Sequence, residues 1–334
     1  HGTYWANMVM HYSDLVVAIG ARFDDRVTGK VSEFCPHAKV IHIDIDPTSI
    51  RKNVNVDIPI VGDCKMVLRE LIQILRATVN GDQRELRKPW WDQIREWQQA
   101  NPLAYQQEAD GPIKPQHVIQ RLYELTKDRD PIVSTDVGQH QMWAAQYFKL
   151  AKPNRWLTSG GLGTMGFGFP AAMGAQAAFP GRLVLCIAGD GSIQMNMQEM
   201  ATAVVHKLPV KIIILNNRFH GMVRQWQDLF YEGRYASSDL ETTPDFVKLA
   251  EAYGAVGLRA SKPSEIDAVL KEAIAVNKPV IVDVPTYRYE NVYPMIPAGG
   301  CNHEMILEDP PALRNKQSGA GQVAPKDSDT ILTA

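Results

Sequence analysis

The fold of this chain is decided by residues 182–227, RLVLCIAGDGSIQMNMQEMATAVVHKLPVKIIILNNRFHGMVRQWQ. Residues 183–188 are apolar and rich in β-formers, and they stop at Gly189, which predicts a short buried strand. A second apolar run, Val210–Leu215, predicts another buried strand. Between them, the spacing of one helix face recurs in Met197, Met200, Ala201 and Val204. The stretch therefore predicts a βαβ unit.

Polar residues follow both predicted strands, at the edge of a parallel sheet where ligands bind. The turn Gly189–Ser192 has two glycines that allow close backbone approach, and the helix predicted to start just after it offers free N–H groups to a diphosphate. No basic residue lies in this turn, so we expect a metal ion to supply the counter-charge. Asp190 and Asn217 offer oxygen ligands that suit Mg²⁺, although Asp190 could instead be a helix N-cap.

The GDG run at residues 189–191 and the Asn216–Asn217 pair are separated by 24 residues, which is the thiamin diphosphate motif. Further runs resemble acetohydroxyacid synthases, also called acetolactate synthases, more than pyruvate decarboxylases or oxidases. These runs are DVGQHQMW at 136–143, SGGLGTMG at 159–166 and GMVRQWQ at 221–227. The resemblance, to the catalytic subunit, covers His1 to about Leu307.

The resemblance implies thiamin diphosphate and Mg²⁺ as cofactors. It implies that the metal is bound by the Asp190 carboxylate, the Asn217 amide oxygen and the Phe219 backbone carbonyl. The positions implied around the cofactor are Val137, Gly138, Gln139, His140, Gly163, Met165, Gly189, Asp190, Gly191, Ser192, Asn217, Gly221, Met222 and Val223. Taken alone, His140 is also compatible with an ordinary histidine at the start of a helix.

The catalytic roles implied by the resemblance fall on Met165, Gln139 and Trp226. Met165 matches the apolar side chain that keeps the cofactor bent, although a methionine after glycines also fills gaps in cores. Gln139 matches a position beside the diphosphate. Trp226 matches the residue that recognises the second 2-ketoacid, whereas a lone tryptophan on a helix is more often a core aromatic.

The implied reaction joins two pyruvates, or pyruvate and 2-ketobutyrate, with loss of CO₂. The products are 2-acetolactate or 2-aceto-2-hydroxybutyrate, on the route to branched-chain amino acids. The implied assembly is a homodimer or tetramer, with a regulatory subunit as a further candidate partner. Two alternatives stay open: another thiamin diphosphate enzyme, such as a pyruvate oxidase or carboligase, and a non-catalytic cofactor-binding module.

The first part of the chain predicts a small α/β domain. Strands are predicted at Leu15–Ile19, Lys39–Ile45 and Ile58–Val61, a short helix at Pro47–Lys52 and an amphipathic helix at Cys64–Arg76. A G-x-G-x-x-G fingerprint is missing, which disfavours hydride transfer. The resemblance implies that this is part of a central, Rossmann-like domain that holds FAD. Its implied flavin contacts are His1, Arg22, Asp44 and Asp63; the acids could equally be surface residues at strand ends.

We predict four regions: part of a central domain at 1–79, a linker at 80–112 with a helix-like run at Trp90–Gln99, the thiamin diphosphate-binding domain at 113–310 and a disordered tail at 311–334. In the larger domain, regular alternation of strands and helices predicts doubly wound, mostly parallel α/β sheets. Its helices are predicted at 115–126, 141–148, 168–179, 222–231, 244–253 and 263–276. Its further strands are predicted at 132–136, 155–158, 256–259 and 280–284.

Composition gives no reason to expect binding to nucleic acid or membranes. Lys and Arg total 35 against 37 Asp and Glu, and no apolar run is long enough for a membrane span. The four cysteines form no CxxC pair, which favours a reducing bacterial cytoplasm. The chain begins at His1 without Met, and we find no match for the glutamate that activates the cofactor in the family. We therefore expect a C-terminal fragment that lacks the pyrimidine-binding domain and is inactive alone.

Overall fold

The computed structural model describes residues 2–311 and Leu313. These residues divide into two compact units. Unit 1 comprises the described residues up to Ala104 together with Tyr293–Glu308, and unit 2 comprises Tyr105–Val292 and the described residues from Asp309 onward. Most of the tail predicted at 311–334 lies outside the described residues.

Unit 1 is built on a three-stranded parallel sheet. Its strands, in spatial order, are β1 (Leu15–Ile19), β2 (Lys39–Asp44) and β3 (Ile58–Val61). Its helices are α1 (Tyr4–Tyr12), α2 (Asp25–Thr28), α3 (Cys64–Thr78) and α4 (Arg84–Ala100). The three predicted strands and the predicted amphipathic helix are confirmed.

The prediction of a helix at Pro47–Lys52 is wrong, because this segment forms hydrogen-bonded turns. The Asp46 carboxylate accepts hydrogen bonds from the backbone N–H and the hydroxyl of Thr48, at 2.9 and 2.8 Å. Such local side-chain hydrogen bonds compete with helix formation. Arg51, with a φ of +61°, then ends the turn.

Most of the predicted linker, and the segment Tyr293–Glu308 near the end of the predicted second domain, belong to unit 1. Residues 84–100 form the long helix α4, in which Trp97 stacks on Tyr12 with ring centroids 5.7 Å apart. The segment Tyr293–Glu308 groups with unit 1, where the Gly300 carbonyl accepts the Lys30 N–H at 3.0 Å. These contacts join residues that are distant in sequence, so the local pattern did not reveal them.

Unit 2 alternates strands and helices along its whole length. Its strands are β4 (Ile132–Thr135), β5 (Trp156–Leu157), β6 (Val184–Gly189), β7 (Lys211–Asn216), β8 (Val256–Arg259) and β9 (Val280–Pro285). Its longer helices are α5 (Pro115–Thr126), α6 (Gln139–Tyr147), α7 (Gly168–Ala178), α10 (Gly221–Phe230), α11 (Phe246–Ala252) and α12 (Ile266–Ala275), and its short ones are α8 (Asp190–Ile193) and α9 (Met200–Val205).

The six strands of unit 2 form one parallel sheet in the order β5-β4-β6-β7-β9-β8. Alternate residues of the central strands enter different cores: Ile187 and Ile213 pack on one face, and Cys186 and Ile212 on the other. Helices cover both faces, which explains why these strands are continuously apolar. The predicted doubly wound α/β fold is confirmed. Over the residues described, no helix combines the length and apolarity that a membrane span requires.

The helix predicted to start just after Ser192 begins later than predicted, although the residues of its predicted apolar face, Met197, Met200, Ala201 and Val204, are helical. The short α8 starts at Asp190, and α9 begins only at Met200. Asn196 interrupts the helix, because its side-chain N–H donates to the Gly166 carbonyl at 2.7 Å. A Cβ atom at Gly166 would lie 2.7 Å from that same nitrogen, so the two segments are in close contact.

Candidate active site

The candidate site lies at the carboxyl edge of the sheet in unit 2. Asp136 follows β4, and β6 and β7 end at Gly189 and Asn216. Strand β5 pairs with one edge of β4. The chain then crosses over, so that β6 pairs with the other edge of β4. This reversal is a topological switch point, where strand ends leave a crevice for a ligand. The fold therefore brings the predicted 136–143 and 189–192 segments together.

Asp190 is a buried carboxylate with 1% of its surface exposed. The backbone N–H groups of Asp190, Gly191 and Arg218 hydrogen-bond to this carboxylate, whereas its Oδ2 atom has no hydrogen-bond partner among the described residues. Burial raises the pKa of the Asp190 carboxyl to about 7, and these backbone hydrogen bonds oppose the shift only in part. An unpartnered oxygen on a buried carboxylate fits a bound cation, which would stabilise the ionised form.

Asn217 presents its amide group immediately after β7. Its Oδ1 atom accepts the Phe219 N–H at 3.0 Å, and its Nδ2 atom donates to Gln139 Oε1 at 3.2 Å. An isolated antiparallel bridge from Phe219 to Asp239 fixes the loop. The Asn217 oxygen keeps a second lone pair, so Asp190, Asn217 and the Phe219 carbonyl form a set of hard oxygen donors that suits Mg²⁺. In the described part of the chain, no cluster of three or more His, Cys, Asp or Glu side chains is placed to hold a metal.

The glycines of the turn after β6 are required by close packing. A Cβ atom at Gly189 would lie 2.8 Å from His140 Nδ1, and one at Gly191 would lie 2.7 Å from His220 Nδ1. Two imidazole rings therefore pack directly on the backbone of this turn. The Ser192 hydroxyl accepts the Gly189 N–H at 3.1 Å and lies 3.2 Å from the Gly189 carbonyl, so it closes the same turn.

His140 is held between the strand ends in a neutral state. Its ring hydrogen-bonds to the backbone of Asp136, and it packs against Gly138, where a Cβ atom would lie 2.9 Å from the ring. Burial lowers the pKa of His140 to about 4, and its Nε2 atom has no partner among the residues described. An anionic ligand beside Nε2 would raise this pKa, because it would stabilise the imidazolium.

Two further predicted glycines border the site. Gly221 begins α10, and a Cβ atom there would lie 2.1 Å from Gln139 Oε1 and 2.7 Å from Asn217 Nδ2. Only glycine therefore fits between these side chains. Gly163 has a φ of +74°, and its nearest side-chain neighbour would be Val137, at 3.8 Å.

Asp136 holds the loop that carries Met165. Its Oδ1 atom accepts the N–H groups of Val137 and Gly166, both at 2.8 Å, and its Oδ2 atom accepts the Gly168 N–H at 3.2 Å. The side chain is fully buried, and Met165 is half-buried. This role of Asp136 was not predicted from the sequence, because two of its three hydrogen-bond partners lie far along the chain. The available signal was an acidic residue directly after a buried strand.

Helix α10 carries the remaining predicted side chains. Val223 is 50% exposed, whereas Met222 is partly buried against the core of unit 2. Trp226 is half-buried and meets Phe230 edge-on, with ring centroids 5.2 Å apart. Trp226 is therefore not a fully buried core aromatic.

Of the predicted flavin contacts, three lie in unit 1: Arg22, Asp44 and Asp63. The fourth, His1, is outside the described residues. Arg22, Asp44 and Asp63 each lie at or beyond the carboxyl end of a strand of the three-stranded sheet. Their polar groups already have local partners: Arg22 pairs with Asp24 at 2.5 Å, Asp44 accepts the Asp46 N–H at 2.8 Å, and Asp63 caps α3. Flavin binding by these residues stays a prediction.

Both parts of the chain match described families. Residues 1–71 match "Thiamine pyrophosphate enzyme, central domain", and residues 136–284 match "Thiamine pyrophosphate enzyme, C-terminal TPP binding domain".

Similar curated proteins cover most of the chain. The acetolactate synthase isozyme 3 large subunit of Escherichia coli (strain K12) is 51% identical over 310 residues, which are 92% of this chain and 54% of that protein. The acetolactate synthase large subunit of Haemophilus influenzae is 51% identical, over 93% of this chain and 54% of its own length. That of Mycobacterium tuberculosis is 49% identical, over 91% and 50%. The chain spans about half the length of the curated relatives it matches. With the sheet, the switch-point crevice and the oxygen donors described above, these similarities establish that the chain belongs to the thiamine pyrophosphate enzyme family.

Proposed function

We propose that the protein is the catalytic, or large, subunit of an acetolactate synthase. Its reaction joins two pyruvates to give 2-acetolactate and CO₂, or pyruvate and 2-ketobutyrate to give 2-aceto-2-hydroxybutyrate and CO₂. The observation that carries this proposal is about 50% identity to acetolactate synthase large subunits over some nine-tenths of the chain. The buried, unpartnered oxygen of Asp190 at the switch point supports it independently.

We assign the residues of unit 2 to four tasks. Asp190, Asn217 and the Phe219 carbonyl bind Mg²⁺. The diphosphate is held by Gly138, Gln139, His140, Gly189, Gly191 and Ser192. Val137, Gly163, Met165, Gly221, Met222 and Val223 line the space for the cofactor rings. Trp226 contacts the second 2-ketoacid.

Bound thiamin diphosphate would supply a nucleophilic carbon for the pyruvate carbonyl and an electron sink for the departing carboxylate. The protein orients the cofactor and provides an apolar lining for the site. Asp136 fixes the loop of Met165 through two backbone hydrogen bonds, so that this side chain has a defined position. Val137 and Val223 add apolar surface, which favours loss of CO₂ because charge disperses in that step.

We further propose FAD binding at the carboxyl edge of the sheet in unit 1, through Arg22, Asp44 and Asp63. The reaction has no net redox change, so the flavin has a structural role. The proposed assembly is a homodimer or tetramer in the bacterial cytoplasm, together with a regulatory subunit. The names of the relatives, which call them large subunits, support the existence of a second kind of subunit.

Product analysis of the complete open reading frame tests this proposal. The protein is incubated with pyruvate, Mg²⁺, thiamin diphosphate and FAD, with and without 2-ketobutyrate. We expect acetolactate, joined by 2-aceto-2-hydroxybutyrate when 2-ketobutyrate is present. Acetate or acetaldehyde would indicate a pyruvate oxidase or carboligase instead. Metal-dependent cofactor binding without any product would indicate a non-catalytic module.

A further inference from the structure

A chain of buried amides leads from helix α10 to the metal site that the proposed function requires. Gln225 is fully buried, and Gln139 and Asn217 are 2% and 7% exposed. Gln139 Nε2 donates to Gln225 Oε1 at 2.8 Å, and Asn217 Nδ2 donates to Gln139 Oε1 at 3.2 Å. At the end of this series of amides that is farthest from Asn217, the Gln225 amide hydrogen-bonds to the backbone of Val292.

The Val292 backbone determines which atom donates and which atom accepts in each hydrogen bond between these amides. Its N–H donates to Gln225 Oε1 and its carbonyl accepts from Gln225 Nε2, both at 2.9 Å. A backbone N–H can only donate and a carbonyl can only accept, so the Gln225 amide has one allowed orientation. Gln139 must then turn its NH₂ group toward Gln225, and the Glu290 carbonyl, 3.1 Å from Gln139 Nε2, demands the same orientation.

The orientation of the Gln139 amide in turn determines the orientation of the Asn217 amide. Because Gln139 presents its oxygen, Asn217 must present its NH₂ group to it. The Asn217 oxygen then lies on the opposite side, where it accepts the Phe219 N–H at 3.0 Å. A flipped Asn217 would set its NH₂ against that N–H and its oxygen against the Gln139 oxygen.

We propose that Gln225 is a positioning residue for the metal site, because it keeps the oxygen of Asn217, and not the nitrogen, toward the metal. An amide binds Mg²⁺ only through oxygen, so a flipped Asn217 is not a ligand. This inference rests on the proposed function, which assigns Asn217 to the metal. Removing a group that orients a metal ligand commonly lowers metal affinity about 10- to 100-fold.

Two substitutions separate orientation from stability. Gln225→Met removes both polar atoms, so Gln139 Nε2 loses its shorter hydrogen bond, at 2.8 Å, and keeps only the Glu290 carbonyl, at 3.1 Å. Gln225→Glu keeps an acceptor for Gln139 Nε2 and for the Val292 N–H, but it loses the donor to the Val292 carbonyl. We expect both variants to be less stable, whereas only Gln225→Met weakens the preference of the Gln139 and Asn217 amides for the orientation that the Glu290 carbonyl and the Phe219 N–H also favour.

The control is Gln227→Met on the same helix. The Gln227 amide donates to the Ala236 carbonyl at 3.0 Å and accepts from the Ser238 hydroxyl at 2.7 Å, so it makes no contact with the three amides. It makes the same chemical change as Gln225→Met on the same helix, and it removes two side-chain hydrogen bonds where Gln225→Met removes three. Its metal affinity should equal that of the parent.

The experiment measures Mn²⁺ and Mg²⁺ affinity by calorimetric titration of the full-length protein in saturating thiamin diphosphate, together with thermal unfolding. We expect Gln225→Met to bind metal about 10- to 100-fold more weakly, and Gln225→Glu to bind no more weakly than about threefold below the parent. Equal weakening in both variants, or none in Gln225→Met, would overturn the inference. If Gln225→Met does not fold, more than tenfold weaker binding by Gln225→Glu would overturn it. Absence of metal-dependent cofactor binding in the parent would instead contradict the proposed function.

Discussion

At the scale of single residues, Asp190 is in an environment that opposes its own ionisation. Its carboxylate is buried, no basic side chain pairs with it among the described residues, and burial raises its pKa from 3.8 to about 7. A group with a raised folded-state pKa contributes stability that is present below its ordinary pKa and is lost as the pH rises through the folded value. In the metal-free protein, Asp190 should therefore contribute a loss of stability of at most about 4 kcal/mol between about pH 4 and pH 7, whereas the lowered pKa of His140 acts in the opposite direction.

Asp190→Asn should change stability and metal binding in opposite directions. The neutral amide removes the cost of a buried charge, so the metal-free variant should unfold at a higher temperature than the parent at pH 8. The same variant should show no stabilisation by Mg²⁺ and thiamin diphosphate. Thermal unfolding at pH 5 and pH 8, with and without these ligands, measures both effects. Ligand-dependent stabilisation equal to that of the parent would refute the metal assignment.

Trp226→Leu should reduce the preference for 2-ketobutyrate over pyruvate as the second substrate. The ring is half-buried on α10, so its removal changes the contact surface rather than a sealed core. Losing one or a few carbon contacts with a substrate costs about 1–3 kcal/mol of discrimination between substrates. We therefore expect a change of about 10-fold in the product ratio. Product analysis with equal concentrations of both ketoacids measures it. Phe230→Leu, which alters the ring that Trp226 meets, is the control, and an unchanged ratio in Trp226→Leu would exclude the proposed role.

At the scale of elements, the site depends on joints between strands and loops. Helix α7 approaches the end of β4 so closely that a Cβ atom at Gly168 would lie 2.5 Å from the Asp136 nitrogen. The Asp136 carboxylate completes this joint by accepting the N–H groups of Gly166 and Gly168. Asn196 closes the other side through the Gly166 carbonyl. The Met165 loop is thus fixed by elements on both of its sides.

Asp136→Ala should release the Met165 loop. Three backbone N–H groups would lose their acceptor, and each buried unsatisfied group costs about 1–3 kcal/mol, although the loop can rearrange to recover part of this. We expect faster amide hydrogen exchange at residues 159–168, by at least about 10-fold. Asp128→Ala, at an exposed position one turn before β4, is the matched control. Exchange rates equal to the parent in this loop would show that Asp136 does not hold it.

At the scale of the whole molecule, the two units differ in how completely they are packed. Unit 2 has helices on both faces of its sheet. In unit 1, Leu15, Val17 and Ile19 of β1 remain 43–49% exposed on one face, and α3 has no buried residue. Parallel sheets are normally covered on both faces, so this exposed apolar surface marks a place where unit 1 would accept further packing.

Ligand binding should stabilise the unit that holds the proposed site. The proposed metal and diphosphate ligands all lie in unit 2, so Mg²⁺ with thiamin diphosphate should raise the unfolding temperature of unit 2. The stabilisation is about 2.7 kcal/mol at a ligand concentration 100 times the Kd. Differential scanning calorimetry of the 334-residue chain measures this, with each ligand alone as the control. An equal shift from thiamin diphosphate without any metal would contradict the metal-diphosphate site.

The sequence by itself determined the strands, the parallel α/β class and the family. Continuous apolar runs such as 183–188 and 211–215 are local signals, and the glycine, acid and amide residues after them are close in sequence to the strands they follow. The structure and the relatives confirm these predictions. The site residues themselves stay predictions, although the fold brings the 136–143 and 189–192 segments and Asn217 to one sheet edge.

Only the tertiary structure decided how these residues are held. It divided the segment after Asp190 into α8 and α9, extended the helix predicted at Trp90–Gln99 to the longer α4, and grouped Tyr293–Glu308 with unit 1. It also revealed the Asp136 joint and the direction of the amide chain that ends at Asn217. Each of these depends on hydrogen bonds or packing between segments that are distant in the chain. Local periodicity and propensity contain no information about such contacts, because they arise only when the whole fold brings the segments together.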